Sequence, residues 1–92
     1  MALLVDGAHW PWRGRLWCHL VSDESFDELH AFAQWLGVPE RAFQGDHYDI
    51  PEELREVAVA EGAREVSSRD VVRALYKAGM RIPPAGRLST LE

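Results

Sequence analysis

Two short runs near the start of the chain have the hydrophobic patterning of β-strands. The first, "ALLVDG", is rich in strand-forming residues and stops at Asp6 and Gly7. The second, "RLWCHLV", alternates between two faces, one with Leu16, Cys18 and Leu20 and the other with Trp17, His19 and Val21. Only eight residues separate Asp6 from Arg15, which is too few for a crossover between parallel strands, so the pattern predicts an antiparallel pair.

Between these runs, the segment "AHWPWRG" holds two tryptophans, a proline and a glycine. This composition predicts a structured loop rather than a flexible linker. Large aromatic side chains are hard to leave in water, so Trp10 and Trp12 either fold back over the sheet edge or face a partner. We expect them to fold back, because a small domain has few other groups to cover its core.

Two segments in the middle of the chain have helical periodicity and marked ends. In "SFDELHAFAQWLG", Ser25 and Glu28 fit a capping box and Gly37 fits the position after the last turn. In "DIPEELREVAVAEG", Asp49 is the expected N-cap and Pro51 lies in the first turn. The sequence therefore predicts two successive helices in this region.

The last third of the chain predicts one more strand, "AREV", and a helix in "SSRDVVRALYKAG" that Ser67 caps. The predicted order is β-β-α-α-β-α, with the second and third strands parallel because helices connect them. This is an α/β (α+β mixed) fold, a small mixed sheet of about three strands packed with three helices. The helical stripes should share one core, which would include Phe32, Leu36, Leu54, Val57, Val71 and Leu75.

We expect one globular domain over residues 1–80 and a C-terminal tail over residues 81–92. The 92 residues of the chain suffice for one small domain but not for two independent cores. The tail, "RIPPAGRLSTLE", has two prolines, a glycine and no periodicity, so it is either frayed or docked on a partner. Because its apolar residues have no obvious place on so small a monomer, the tail also predicts a homodimer.

Charge and cysteine content narrow the classes of partner and compartment. The net charge of −5 argues against nucleic acid, since phosphate neutralisation by a cationic face supplies most of that affinity. The single cysteine, Cys18, cannot form an internal disulfide and lies in an apolar stretch, so it is expected to be a small buried residue. No apolar run is long enough to span a membrane, and the expected compartment is the cytoplasm.

The segments "VDGAHWPWRGRLWCHLV", "DELHAFAQWLGV", "AFQGDHYDI" and "AEGAREVSSR" together resemble the bacterial family called domain of unknown function 4031, over about residues 3–72. The resemblance implies no established activity. It does imply a set of positions of interest, namely Asp6, Gly14 with Arg15, Cys18 with His19, Glu28 with His30, Phe43 with Gln44, and His47 with Tyr48 and Asp49.

Three departures from the family's pattern bear on the chemistry. Gly7 stands where a second acidic residue is common, Gly45 and Asp46 replace a longer and often basic stretch, and acidic Glu52 and Glu53 follow where a basic pair is common. Each change removes positive charge or a potential metal ligand. The resemblance therefore implies a weaker anion site here than in the family at large.

Three histidines, His19, His30 and His47, are the candidate catalytic residues. His30 lies beside the apolar stripe of its helix and His19 shares a strand face with Trp17, so each is either a structural histidine or an acid–base group. His47 precedes a helix start but is not needed to begin one. We expect His47 to line a pocket with His19 or His30.

The candidate ligand-binding residues are Asp6, Arg13, Arg15, Tyr48 and Asp49. A histidine and a tyrosine at a helix N-terminus favour a small anionic ligand. Arg13 or Arg15 is expected to form an ion pair with Asp6 at one end of the sheet, with His19 about 13 Å away. Because of that distance, and because the spacing matches no ligand signature, we predict no metal site and leave any cofactor open.

Two functions from different classes follow from these residues. The first is an enzyme or small-ligand-binding domain of the hydrolase or phosphate-ester type, with histidines as acid and base and an arginine that orients an anion. The second is a noncatalytic protein-interaction module whose tryptophan loop and tail bind another chain. A cleft that joins arginine and histidine would favour the first, and a flat dimer interface would favour the second.

Overall fold

A computed structural model describes residues 2–81 of the chain, so the prediction for the tail falls almost entirely outside the described residues. In chain order the elements are β1 (Leu3–Val5), β2 (Trp10–Trp12), β3 (Arg15–Ser22), α1 (Phe26–Leu36), a 3₁₀ turn (Glu40–Ala42), β4 (Tyr48–Pro51), α2 (Glu52–Ala60), β5 (Arg64–Glu65) and α3 (Ser68–Lys77). The predicted mixed class and the three helices are confirmed, with five short strands in place of about three. None of the helices in this described part is long and apolar enough to cross a bilayer.

The central strand of the sheet is β3, which pairs antiparallel with β1, β2 and β4. Leu20 pairs with both Val5 and Tyr48, and Trp17 pairs with both Trp10 and Pro51. Since each of these β3 residues has a partner on either side, β4 lies on one edge of β3, and β1 and β2 follow each other along the opposite edge. The antiparallel pairing predicted for "ALLVDG" and "RLWCHLV", which form β1 and β3, is thus confirmed.

The last strand, β5, is parallel to β1. The predicted parallel pairing of "RLWCHLV" with "AREV" is therefore wrong, because β1 occupies the position beside β3 along that edge. The helical crossover that ends in β5 returns to the first strand of the chain rather than to the second. A parallel pair still needs such a crossover, as expected.

The segment predicted as a loop forms a hairpin with β3. Its turn consists of Arg13 and Gly14, which have φ values of 51° and 75°. Positive φ at both positions is the geometry of a tight two-residue hairpin turn, and glycine adopts it at no steric cost. Pro11 lacks an N–H group but is tolerated, because in the described part of the chain β2 pairs with β3 alone.

Two of the three predicted helix caps are confirmed. The Ser25 hydroxyl accepts from the Glu28 backbone N–H across 3.0 Å, and Gly37 ends α1 with a φ of 89°. The Ser67 hydroxyl accepts from the Asp70 backbone N–H across 3.1 Å at the start of α3. Such hydroxyl caps satisfy backbone donors that have no partner within the helix.

The third cap prediction, Asp49, is wrong. Asp49 lies inside β4, and the residue that precedes α2 is Pro51, which makes no side-chain cap. Proline disfavours helical geometry at the residue before it, so Ile50 stays extended. Tyr48 and Ile50 are both fully buried, and burying this alternating pair requires a strand. Asp49 therefore points to the other face of the sheet.

The sheet separates two apolar clusters, so the single shared core predicted from the helical stripes is wrong. The cluster under α1 and α2 includes Leu36, with Phe32 and Leu54 packed against it. The cluster under α3 is formed by Ala2, Leu4, Val21, Val71 and Leu75. Val57 belongs to neither, since 41% of its surface is exposed. Neighbouring residues of one strand point to opposite faces, so both faces need a cover.

Cys18 lies in the cluster under α1 and α2 and is completely buried, as expected. Burial raises the pKa of its thiol to about 12. The thiol is therefore protonated and unreactive at neutral pH.

Candidate metal centre

Helix α3 covers only part of its face of the sheet. Val21 lies in the apolar cluster under α3, and His19, two residues earlier on β3, points to the same side. Asp49 is the register partner of His19 on β4. The Trp10 ring lies against the His19 ring, with 4.7 Å between ring centroids. The part of this face beyond α3 therefore brings together histidine, carboxylate and indole groups.

Asp6 is the buried carboxylate that orients His19. One carboxylate oxygen lies 2.7 Å from His19 Nδ1, and the other accepts from the His19 backbone N–H, also across 2.7 Å. The Ser68 hydroxyl, in the first turn of α3, donates to the same carboxylate across 2.8 Å. Arg55 Nε donates to the Asp6 carbonyl oxygen across 2.7 Å. Strand register and two helices thus hold Asp6 and His19 together.

These contacts determine the protonation of Asp6 and His19. Burial alone would raise the pKa of Asp6, but hydrogen bonds from His19 and Ser68 outweigh it and hold that pKa below its ordinary value. The hydrogen bond to Asp6 raises the pKa of His19, against the opposing effect of burial. Because His19 Nδ1 faces an ionised carboxylate, it carries the proton, and Nε2 is the ring nitrogen left to bind another group.

His47 is oriented in the same way by Asp46. His47 Nδ1 lies 2.7 Å from an Asp46 carboxylate oxygen. Arg81, four residues beyond the end of α3, donates to both oxygens of Asp46, across 2.6 Å and 3.0 Å. Burial would raise the pKa of Asp46, but the hydrogen bonds from Arg81 and His47 lower it below the ordinary value. The nitrogen of His47 that remains for a ligand is again Nε2.

The two histidines converge on Asp49. Their rings lie 5.1 Å apart between centroids, and His47 Nε2 is 3.3 Å from Asp49 Oδ1 without hydrogen-bond geometry. That oxygen is buried and has no hydrogen-bond partner among the described residues. One possible ligand atom from each of His19, His47 and Asp49 lies within 4.8 Å of the other two. A buried carboxylate oxygen beside two imidazoles suits a bound cation.

The structure brings His19, His47, Asp49 and Asp6 together, but not His30. His30 Nδ1 is 2.7 Å from the Tyr48 hydroxyl, and its ring lies against Phe43 at 4.6 Å between centroids. Tyr48 itself is buried in the cluster under α1 and α2, where burial raises the pKa of its hydroxyl. His30 and Tyr48 therefore pair with each other on the other side of β4.

The predicted ion pair of Asp6 with Arg13 or Arg15 is wrong. The Arg13 guanidinium lies over the Trp12 ring at 4.4 Å, and Arg15 faces Glu53 at 3.5 Å. The prediction treated the segment between "ALLVDG" and "RLWCHLV" as a loop, so that antiparallel pairing of the two strands would place Asp6 near Arg15. Instead, the β2 hairpin takes up the connection, so Asp6 lies beside His19, and the distance argument against a metal site no longer holds.

Sequence reasoning missed several residues that support the site. Asp46 is adjacent to His47 in the sequence, which was an available signal. Arg81, Ser68 and Arg55 lie 35, 62 and 49 residues from the groups that they contact. No local pattern points to contacts over such separations.

The sequence profile of the family described as "Protein of unknown function (DUF4031)" matches residues 3–78. This match covers most of the chain, so the protein belongs to that family and the resemblance is confirmed. No curated protein and no solved structure matches the chain.

Proposed function

We propose that this member of a family of unknown function is a small metal-dependent hydrolase. His19, His47 and Asp49 would hold one divalent transition-metal ion, for which we take Zn²⁺ as the reference. The observation that carries the proposal is the convergence of one ligand atom from each of these residues within 4.8 Å. Two imidazoles and one carboxylate are a ligand set of catalytic zinc sites and of other sites with open coordination positions.

The surroundings of both histidines support the same reading. Metal-binding histidines usually donate their second ring N–H to a carboxylate or carbonyl, which fixes the tautomer and the ring orientation. His19 has this arrangement with Asp6, and His47 has it with Asp46. A structural histidine often makes one such contact, but two neighbouring histidines that both do so, and that face one carboxylate, favour a metal.

The expected substrate is a phosphate ester. A divalent ion with three protein ligands keeps a position for water and lowers the pKa of that water toward about 7. An ion held by His19, His47 and Asp49 would supply a nucleophilic water oxygen. Hydrolysis would form a bond from that oxygen to phosphorus and break the bond from phosphorus to the leaving oxygen, which would take a proton from solvent. The proton lost by the water also goes to solvent, which reaches the site because Asp49 is 35% exposed. One water is consumed for each ester cleaved.

The charge of the centre fits an anionic ester. The ion and its three ligands, two neutral imidazoles and one carboxylate, would carry a net charge of about +1, and Arg81 pairs with the nearby Asp46 carboxylate. His19 and His47 then act as metal ligands rather than as acid and base, while Asp6 and Asp46 are positioning residues. The small anionic ligand expected from the sequence would be the ester itself, and Arg13 and Arg15 would not orient it through Asp6.

The test is a zinc titration of the chelator-treated chain by calorimetry. We expect one Zn²⁺ per chain, and we expect His47→Ala and Asp49→Ala each to lose most of the affinity. His30→Ala is the matched control and should bind as the wild type does, with circular dichroism to verify the fold of each variant. Hydrolysis of 4-nitrophenyl phosphate that needs added metal would support the reaction. A wild-type chain that does not bind Zn²⁺, or an equal loss in His30→Ala, would contradict the proposal.

The exposed surface of α1 keeps an interaction module as the second candidate. Trp35 is 57% exposed and its ring stacks with Phe32 at 5.7 Å between centroids. An exposed tryptophan that stacks on a half-buried phenylalanine suits a contact with a second copy of the chain. Sedimentation velocity of the wild type and of Trp35→Ala tests this homodimer; a wild type that remains monomeric at high micromolar concentration contradicts it. The cytoplasmic location stays a prediction.

A further inference from the structure

A pocket of about 530 Å³ lies beside the candidate metal centre. It is lined by three indole rings, those of Trp10, Trp12 and Trp17, together with Gln44 and Asp49. We call it the tryptophan pocket. Its volume falls within the range of small-molecule sites, and its lining combines aromatic surface with a few polar groups, as such sites do.

The hairpin holds the indole rings in place. Trp10 and Trp17 are register partners on β2 and β3, so their side chains lie on the same face. Trp17 Nε1 donates to the Trp12 carbonyl oxygen across 2.8 Å, and the two rings are 5.4 Å apart between centroids. The guanidinium of Arg13 lies over the Trp12 ring. Aromatic groups held in this way lose little entropy when a ligand binds.

The pocket is continuous with the candidate metal centre. Asp49 belongs to both, since it lines the pocket and offers a ligand atom to the metal. The Trp10 ring also lies 4.7 Å from the ring of His19. A group bound among the indoles would therefore have its nearest substituent beside the ion.

We propose that the tryptophan pocket binds a planar aromatic ring, and that the substrate is a small phosphate ester with such a ring close to the ester group. Planar rings stack on indoles, and this stacking tolerates different ring types. The Gln44 amide supplies a donor and an acceptor for ring heteroatoms. The reaction rests on the proposed metal centre, whereas binding of the ring does not.

Net charge limits the size of the ester. The net charge of −5 disfavours a polynucleotide, because neutralisation of phosphates by a cationic face supplies most of that affinity. A mononucleotide and a simple aryl phosphate both combine one aromatic ring system with one phosphate. The site accommodates this combination. Gln44 separates these two sources, because it would contribute more to a base with several heteroatoms than to a plain aryl ring.

The experiment measures binding to the intact, chelator-treated chain by calorimetry, so that no metal is needed. The probes are adenosine 5′-monophosphate, 4-nitrophenyl phosphate and ribose 5-phosphate. We expect both aromatic esters to bind at least about tenfold more tightly than ribose 5-phosphate, and Trp12→Ala to remove about tenfold of that affinity. Gln44→Ala should weaken the nucleotide more than the aryl ester if the substrate is a nucleotide, and both equally if it is an aryl phosphate.

Trp35→Ala is the matched control, because Trp35 is also an exposed tryptophan but lies on α1, outside the tryptophan pocket. Equal affinity for ribose 5-phosphate and the aromatic esters would overturn the inference. An equal loss in Trp35→Ala and Trp12→Ala would also overturn it. If the aromatic esters bind and Trp12→Ala weakens them while Zn²⁺ does not bind, then the ring site stands and the proposed hydrolase fails.

Discussion

The two carboxylate–histidine pairs of the candidate centre share one contact but differ in their support. Asp6 and Asp46 each place a carboxylate oxygen 2.7 Å from a histidine Nδ1. Asp6 has no exposed side-chain surface and is held by β3 and by Ser68 at the start of α3. Asp46 lies in the segment before β4, is 13% exposed and is held by Arg81. The first pair takes part in the hydrogen bonding of the sheet, whereas the second is held by contacts between side chains.

The same carboxylate–histidine contact can therefore have two different roles. A carboxylate that satisfies buried donors of a strand and a helix contributes to folding, since its loss leaves those donors without partners. A carboxylate in a segment between elements, whose partners are the side chains of a histidine and an arginine, mainly orients its histidine. We therefore expect Asp6 to matter more for stability, and Asp46 to matter chiefly for the affinity of the metal.

The largest effect is expected for Asp6→Ala. This change removes the acceptor for the His19 backbone N–H, the His19 ring and the Ser68 hydroxyl, and should cost about 2 to 4 kcal/mol of the free energy of unfolding. Urea denaturation of the metal-free protein measures it. Asp6→Asn keeps one acceptor oxygen and should lose less. A cost below about 1 kcal/mol for Asp6→Ala would show that the sheet does not depend on this pair.

Asp46→Ala should affect the affinity for the metal more than the free energy of unfolding. We expect Zn²⁺ affinity to fall by about 10- to 100-fold, because His47 loses the partner that orients it, while the free energy of unfolding falls by only about 1 kcal/mol. Zinc calorimetry and urea denaturation of the same preparation measure both. If the loss of stability equals that of Asp6→Ala, the two pairs do not differ in the way proposed.

The pH dependence of stability should also separate the pairs in metal-free protein. The raised pKa of His19 means that its contribution is complete below its unfolded pKa, about 6.5, and is lost as pH rises through the folded value. The lowered pKa of Asp6 means that its contribution is complete above about 3.9 and is lost as pH falls through the folded value. The stability difference between wild type and Asp6→Ala should therefore be largest between about pH 3.9 and about pH 6.5, the unfolded pKa values of aspartate and histidine.

The pH dependence of stability should differ for the Asp46 pair at alkaline pH, because Asp46 also pairs with Arg81. Arg81 stays charged throughout, because the hydrogen bond to Asp46 raises its already high pKa. The stability that this ion pair contributes should fall only in acid, as the lowered pKa of Asp46 is crossed. Urea denaturation of wild type, Asp6→Ala and Arg81→Ala at pH 3, 5.5 and 8 compares the two profiles. If the free energy of unfolding that each pair contributes falls by the same amount between pH 5.5 and pH 8, the two pairs do not differ in their pH dependence.

The smallest effect is expected for Arg81→Ala. Asp46 would keep its contact with His47, so Zn²⁺ affinity should fall by less than in Asp46→Ala, and stability by about 1 kcal/mol or less. Arg73→Ala is the control, because its ion pair with Asp70 is exposed on α3. Calorimetry that finds Arg81→Ala as weak as Asp46→Ala would mean that the arginine, rather than the carboxylate, orients His47.

Much of the local structure could be predicted from short patterns. The alternation in "RLWCHLV" and the cap residues Ser25, Ser67 and Gly37 are correct because strand period and helix termination depend on neighbouring residues. Where two local rules competed, the prediction failed. Asp49 fits a helix cap, but Pro51 and the burial of Ile50 favour a strand, and the tertiary contact with β3 decides between them.

The candidate site depends on contacts that no local pattern contains. The sequence by itself determined that the chain has carboxylates and histidines in strand and turn positions, and it placed His47 beside Asp46. Only the tertiary structure decided that Asp6 faces His19, because Gly7, Ala8, His9 and the strand β2 lie between Asp6 and the turn that leads into β3. It likewise decided that α3 covers the face of the sheet that carries His19, and so brings Ser68 to Asp6 and Arg81 to Asp46. Register and the choice of face are settled by burial summed over the whole sheet, which no short stretch of residues encodes.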